Sequence, residues 1–134
     1  MSDREAVLFA NEAFYLAFQA RDMAAMDDAW AREAPVTCIH PGWSVLAGRE
    51  PVMDSWRGIF EGGNAPAIEC RAPRVFQYGD AATVLCFEAV GGGFLIASNV
   101  FVRERGRWKM VHHQAGVTNG TPEPEPETPL SNIN

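Results

Sequence analysis

The sequence predicts an α+β fold in which a curved antiparallel or mixed sheet wraps as a cone over three N-terminal helices. Two observations carry this. Apolar residues recur at helical spacing through residue 60, and four runs rich in β-branched and aromatic residues fill residues 67–117 between turn residues. A bent sheet over helices leaves a conical cavity, and pockets form in such concavities.

Residues 4–20 read as a helix, with Val7, Asn11, Phe14 and Phe18 on one stripe that Leu8, Tyr15 and Leu16 widen. Asp22 caps a second, short helix with Met23, Met26 and Trp30 at helical spacing, and Pro35 ends that region. "VTCIH" (36–40) suits a short strand, "PGW" a turn and "SVLAG" a second short strand. A third helix begins near "GREP", with Pro51 in its first turn, where a missing N–H costs little. Val52, Trp56, Ile59 and Phe60 form its buried face, and "EGGNAP" ends it. The meander follows: "AIECRAPRVFQY" and "AATVLCFEAV" join at "GD", "GGG" leads to "FLIASNVFVRE", and "RGR" leads to "WKMVHHQAGV". Pro73 inside the first run marks a bulge or an edge position. The domain is expected over residues 1–118, with a Pro/Glu-rich, extended tail over 119–134.

At 134 residues and 47% apolar, the chain is the size of one domain with one sizeable core. The net charge of −6, part of it in the tail glutamates Glu123, Glu125 and Glu127, argues against nucleic acid as a partner. The densest basic cluster, "RERGRWK", reads as an exposed hairpin tip. No apolar run reaches the length of a membrane span, and the N-terminus lacks a signal layout, so a soluble, unprocessed, cytoplasmic chain without membrane contact is expected. Cys38, Cys70 and Cys86, an odd set with no CxxC, read as buried free thiols.

The stretches "FQARDMAAMDDAWA", "HPGW", "GREPVMDSW" and "GRWKMVHHQAG" resemble the SnoaL-like, ketosteroid-isomerase-like branch of the nuclear transport factor 2-like superfamily, over roughly residues 5–118. The resemblance implies the cystatin-like cone fold, a small-molecule pocket and a homodimer through the outer sheet face. In ketosteroid isomerases the general base is a carboxylate at the end of the first strand, before a proline; His40, before Pro41, stands in that place. The isomerase oxyanion hole uses a tyrosine of the first helix and a protonated aspartate of a later strand. By register Phe14 matches the tyrosine and Asn99 the aspartate, while Tyr15 is one residue off and would point about 100° away. These departures argue against steroid isomerisation. The association domain of calcium/calmodulin-dependent kinase is also similar, but its pocket arginines would fall at Ala89, Asn99 and Ala115, so a pocket of that type for acidic ligands is not implied.

Strand parity sorts pocket from outer face. Val111, His113 and Ala115 share one side of the last strand, which the resemblance implies is the inner one; His112 then faces out, toward the expected dimer partner. Asn99 and Phe101 face inward on the preceding strand, and Leu85, Phe87 and Ala89 on the one before, which puts Glu88 outside. Trp30, Trp43, Trp56 and Phe60 are candidates for walls or floor, although Trp56 and Phe60 equally suit plain core. His40 is either a satisfied core histidine or a working group. His113, opposite the Asn99 amide, needs a partner or a ligand.

Two readings stand. The first is a binder of a small, largely hydrophobic molecule with a carbonyl or carboxylate: an isomerase, cyclase or dehydratase without cofactor or metal. In it His40 or His113 takes a proton from carbon beside a carbonyl and Asn99 stabilises the oxygen. Phe14, Trp30, Trp43, Trp56, Phe60, Phe87, Phe101 and Val111 would line that pocket. The second is a non-catalytic dimerisation or association module with a vestigial or purely binding pocket. A metal hydrolase ranks below both, because the three histidines lack a ligand-like arrangement with carboxylates.

Overall fold

A computed structural model describes residues 1–123; most of the tail expected to be extended lies outside the described residues. Helix α1 (Asp3–Ala20) starts one residue earlier than the sequence predicts, because Ser2 caps it: the hydroxyl accepts from the Glu5 N–H at 3.1 Å and donates back to the Glu5 carboxylate at 3.2 Å. Helix α2 (Met23–Ala29) is capped by Asp22, which accepts from the Ala25 N–H at 3.0 Å. The far end of α2 is closed from a distance. The Arg49 guanidinium donates to the carbonyls of Trp30 (3.0 Å), Ala31 (2.8 Å) and Asp27 (2.6 Å), and so ties α2 to the start of α3 (Arg49–Glu61). Gly48 caps α3 at φ +100°, a conformation that a side chain rarely adopts.

The strands are β1 (Thr37–Ile39), β2 (Leu46–Ala47), β3 (Glu69–Tyr78), β4 (Ala81–Val90), β5 (Gly93–Glu104) and β6 (Arg107–Val117). They form one mixed sheet in the order β2-β1-β6-β5-β4-β3. The long strands pair antiparallel, while β1 runs parallel to β6, with Cys38 beside His113. This parallel pairing delivers His40 to the rim of the sheet next to His113. The three helices cover the inner face, where Phe14, Trp30, Trp56, Phe101 and Met110 are buried. Among the described residues, no helix is long and apolar enough to cross a membrane.

Two bulges shape the sheet. The first lies on the edge strand β3 between Arg71 and Arg74 and contains Pro73, as the sequence implies; Ala72 there takes φ +52°. The second was not foreseen. On β6 the register jumps so that Val100 faces His112 while Phe101 faces Met110, leaving Val111 as the extra residue. A single extra residue reverses the parity of everything before it. Trp108 and Met110 therefore share the inner face with His113 and Ala115, and Val111 does not line the cavity as expected.

The parity expected for β4 is also reversed. A loop of three glycines, Gly91–Gly93, would set Leu85, Phe87 and Ala89 inside. The observed turn uses only Gly91 and Gly92, so Val90 pairs with Gly93, Glu88 with Leu95 and Val84 with Asn99. Val84, Cys86 and Glu88 face the helices, while Leu85 and Phe87 face outward, the latter stacking edge-on against Phe94.

Candidate functional site

A cavity of about 470 Å³ opens between α1, α3, the 62–68 loop and the concave side of the sheet. Its walls are mostly apolar: Phe14 and Phe18 from α1, Trp56 and Ile59 from α3, Val90 and Leu95 from the sheet. Polar side chains interrupt them: Tyr15, His40, Glu88 and His113, with Asn64 from the 62–68 loop.

At the inner end the polar groups form a directed network. The Tyr15 hydroxyl donates to Glu88 Oε2 at 2.7 Å, and Cys86 Sγ lies 3.2 Å from the same hydroxyl. Asn99, fully buried behind the wall, spends both N–H donors, one on Asn11 Oδ1 (2.9 Å) and one on the Tyr15 oxygen (3.1 Å). Its carbonyl oxygen is therefore the acceptor facing His113 Nδ1 at 2.6 Å, which fixes the proton on Nδ1 and leaves a lone pair on Nε2. That Nε2 stands 3.9 Å from Glu88 Oε2, beyond hydrogen-bond length. Burial pushes the Glu88 carboxyl above its usual range, an effect that the Tyr15 hydrogen bond opposes. Burial also lowers His113 to about 3, with help from the neighbouring His40 and His112. An uncharged imidazole thus faces a carboxyl for which ionisation is costly.

The mouth is simpler. Ser55 on α3 donates its hydroxyl proton to the Val52 carbonyl at 2.6 Å, so its oxygen accepts from His40 Nε2 at 2.9 Å. His40 Nδ1 keeps the lone pair, and burial lowers this imidazole to about 4. Its ring meets Trp56 and Trp43 edge-on, at centroid distances of 4.6 and 4.8 Å. Trp43 is half exposed beside the turn that its N–H closes on the His40 carbonyl at 2.9 Å.

Of the residues singled out in the sequence, His40, His113, Phe14, Trp43 and Trp56 line the cavity together. Asn99 faces inward but sits one layer behind the lining, with no donor left for a ligand. Trp30 and Phe101 are plain core, and Phe60 packs behind Phe18 and Trp56. Phe87 and Val111 are corrected: neither lines the cavity, the one because of the two-residue turn and the other because of the bulge. His112 does face outward, bound to the Thr37 hydroxyl at 2.7 Å. Glu88 and Tyr15 were missed. Tyr15 was set aside as pointing away from the pocket, yet α1 lies so that Phe14 and Tyr15 both border it, with rings 4.9 Å apart. The signal for Glu88 was the length of the glycine turn. Among the described residues, no group of three His, Cys, Asp or Glu is placed to hold a metal ion.

Comparison with known proteins agrees with this architecture. The profile of the SnoaL-like domain matches residues 7–119, and the chain belongs to that family. A crystal structure from Streptomyces avermitilis, described as a candidate dehydratase of the NTF2-like family, is 29% identical and superposes with a TM-score of 0.79, covering 88% of this chain and 97% of the other. A candidate calcium/calmodulin-dependent protein kinase type II association domain from Thiobacillus denitrificans is 32% identical, with a TM-score of 0.73 over 82% of this chain and 93% of that one. The F-box protein SKIP8 of Arabidopsis thaliana is 30% identical over 114 residues, 84% of this chain; the chain spans about half (49%) of that curated relative.

Proposed function

We propose that the protein is a cofactor-independent enzyme of the isomerase, cyclase or dehydratase kind, which moves protons on a small, largely apolar carbonyl compound. One observation carries the reading: an uncharged imidazole, His40, whose Nδ1 has only the Cys38 thiol at 4.0 Å as a protein partner among the described residues, and a buried carboxyl, Glu88, line one apolar cavity. His40 Nδ1 takes the proton from carbon beside the carbonyl. Glu88, held by Tyr15, stabilises the oxygen as charge develops there. Asn99 does not touch the substrate; it positions Tyr15 and His113. The candidate dehydratase from S. avermitilis supports the class, and three free, at least half-buried thiols suit the cytoplasmic setting we assign.

The test is deuterium uptake at the α-carbon of small cyclic ketones and hydroxy-ketones, followed by NMR. The parent accelerates exchange of at least one probe, and His40→Asn loses about 10²-fold or more of that acceleration. Equal exchange by parent and variant on every probe removes the catalytic reading.

A second reading, an association module, is favoured by the outer sheet face. There Leu85, Phe87, Phe94 and Val100 are only half-buried and Ile96 is 37% exposed; among the described residues no helix or strand covers them, and the segment at Gly120 lies against the Phe87 ring. Under either reading this face forms a homodimer. Ile96→Glu then shifts the chain from dimer to monomer in sedimentation; a monomeric parent defeats the dimer proposal.

A further inference from the structure

The inner end of the cavity holds two polar atoms with no protein partner among the described residues. Glu88 Oε2 accepts from Tyr15, but Glu88 Oε1 has no hydrogen bond, and His113 Nε2 has only the 3.9 Å approach to Glu88. Both residues are about 96–97% buried, and both border the cavity. Neither atom is sealed in the core: both open onto the cavity, whereas the buried side-chain atoms without a partner among the described residues are the indole nitrogens of Trp30 and Trp56. Here the two sit side by side on an apolar wall, so a bound molecule is their natural partner.

The network dictates which partner. Tyr15 donates to Oε2, so Oε1 is the oxygen left open to the cavity, and burial favours the protonated form of Glu88, which would present a donor there. Because Asn99 holds the His113 proton on Nδ1, Nε2 offers an acceptor. Glu88 and His113 thus present one donor and one acceptor. Among the described residues, neither Lys nor Arg lines the cavity, so an anion would enter without a counter-charge. The net charge of −6 opposes its approach as well.

We propose that the cavity takes an uncharged, one- or two-ring molecule bearing a carbonyl for Glu88 and a hydroxyl for His113, and that it turns carboxylates away. This rests on the catalytic reading above only for the identity of the site. Recognition by Glu88 and His113 stands or falls on binding, not on turnover.

The test uses three matched probes on the full chain: 6-acetyl-2-naphthol, 6-hydroxy-2-naphthoate and 2-acetylnaphthalene. Calorimetric titration at neutral pH compares the parent with Glu88→Gln, Glu88→Leu and His113→Phe. The parent binds the hydroxy-ketone at least about tenfold more tightly than the carboxylate. Glu88→Leu loses about tenfold in hydroxy-ketone affinity, while Glu88→Gln, which keeps an N–H donor and an acceptor for Tyr15, stays within about threefold. Removing the hydroxyl from the probe weakens binding to the parent about fivefold and leaves His113→Phe indifferent. Equal or tighter binding of the carboxylate, unchanged hydroxy-ketone binding by Glu88→Leu, or no binding of either ketone overturns the proposal. Circular dichroism of Glu88→Leu and His113→Phe separates lost recognition from lost folding. A normal probe preference with no His40-dependent exchange removes the catalytic reading alone; a carboxylate preference removes this inference alone.

Discussion

The two ends of the cavity are built on opposite plans. At the inner end Tyr15, Glu88, Asn99, Asn11 and His113, drawn from α1, β4, β5 and β6, are linked by buried side-chain hydrogen bonds that leave Glu88 Oε1 and His113 Nε2 open to the cavity. At the mouth His40 depends on one hydroxyl, Ser55, on the Cys38 thiol at 3.7 Å and on the edges of two indoles. A network that fixes each proton's place holds its groups rigid, but it fails as a unit when its centre is removed. A single tethered imidazole is cheap to replace and free to exchange its proton. The contrast assigns recognition to the inner end and proton traffic to the mouth.

The sharpest way to break this comparison is Asn99→Leu. It strands Asn11, Tyr15 and His113 together, and the fold is expected to lose about 3 kcal/mol in urea denaturation, against under about 1 kcal/mol for His40→Asn. Equal losses would mean that the two ends do not differ in plan. Next comes acid sensitivity. Both imidazoles are held below the ordinary 6.5 in the folded chain, His40 to about 4 and His113 to about 3. Between those values and 6.5 the unfolded chain binds protons that the folded chain refuses. Stability is therefore fully present above 6.5 and falls as pH drops, by about 1.4 kcal/mol per pH unit for each such histidine. His40→Asn removes one of the two contributions, and a denaturation series from pH 7 to 5 reads the change in slope. An unchanged slope would show that His40 protonates freely at the mouth.

Glu88 runs in the other direction. Its carboxyl is raised by burial, so the folded chain keeps a proton that the unfolded chain releases, and this contribution to stability shrinks as pH rises through the folded value. Glu88→Gln removes that dependence. Its stability relative to the parent is expected to grow as pH rises above the ordinary carboxylate range, and a constant difference would mean that burial does not raise the Glu88 carboxyl. The smallest effect is expected at the rim. Trp43 is 49% exposed, so Trp43→Ala shifts stability by less than about 1 kcal/mol while weakening ligands that reach the mouth.

Much of this was legible in the chain. The helical stripe of Val7, Asn11, Phe14 and Phe18, the Pro51 start of α3, the bulge at Pro73 and the four β runs all rest on local rules of spacing and turn chemistry. His40 and His113 were found because a titratable group at a strand end, or opposite an amide, stands out even in one dimension. Glu88 is the one charged residue in "AATVLCFEAV", but parity counted from a three-glycine turn puts it opposite Phe87 on the outer face, where a charge is unremarkable.

By itself, then, the sequence determined which segments form helices and strands, where they end, and that an apolar concavity carries histidines. Those outcomes follow from contacts between near neighbours in the chain. Only the tertiary structure decided which side of each strand faces the cavity. Strand side chains alternate with a period of two, so one residue in a turn or a bulge reverses a whole face. The two-residue turn at Gly91–Gly92 brought Glu88 inside, and the extra residue at Val111 put Met110 on the same face as His113. The seating of α1 then set Tyr15 against Glu88 across 73 positions of sequence, a meeting that no local pattern encodes.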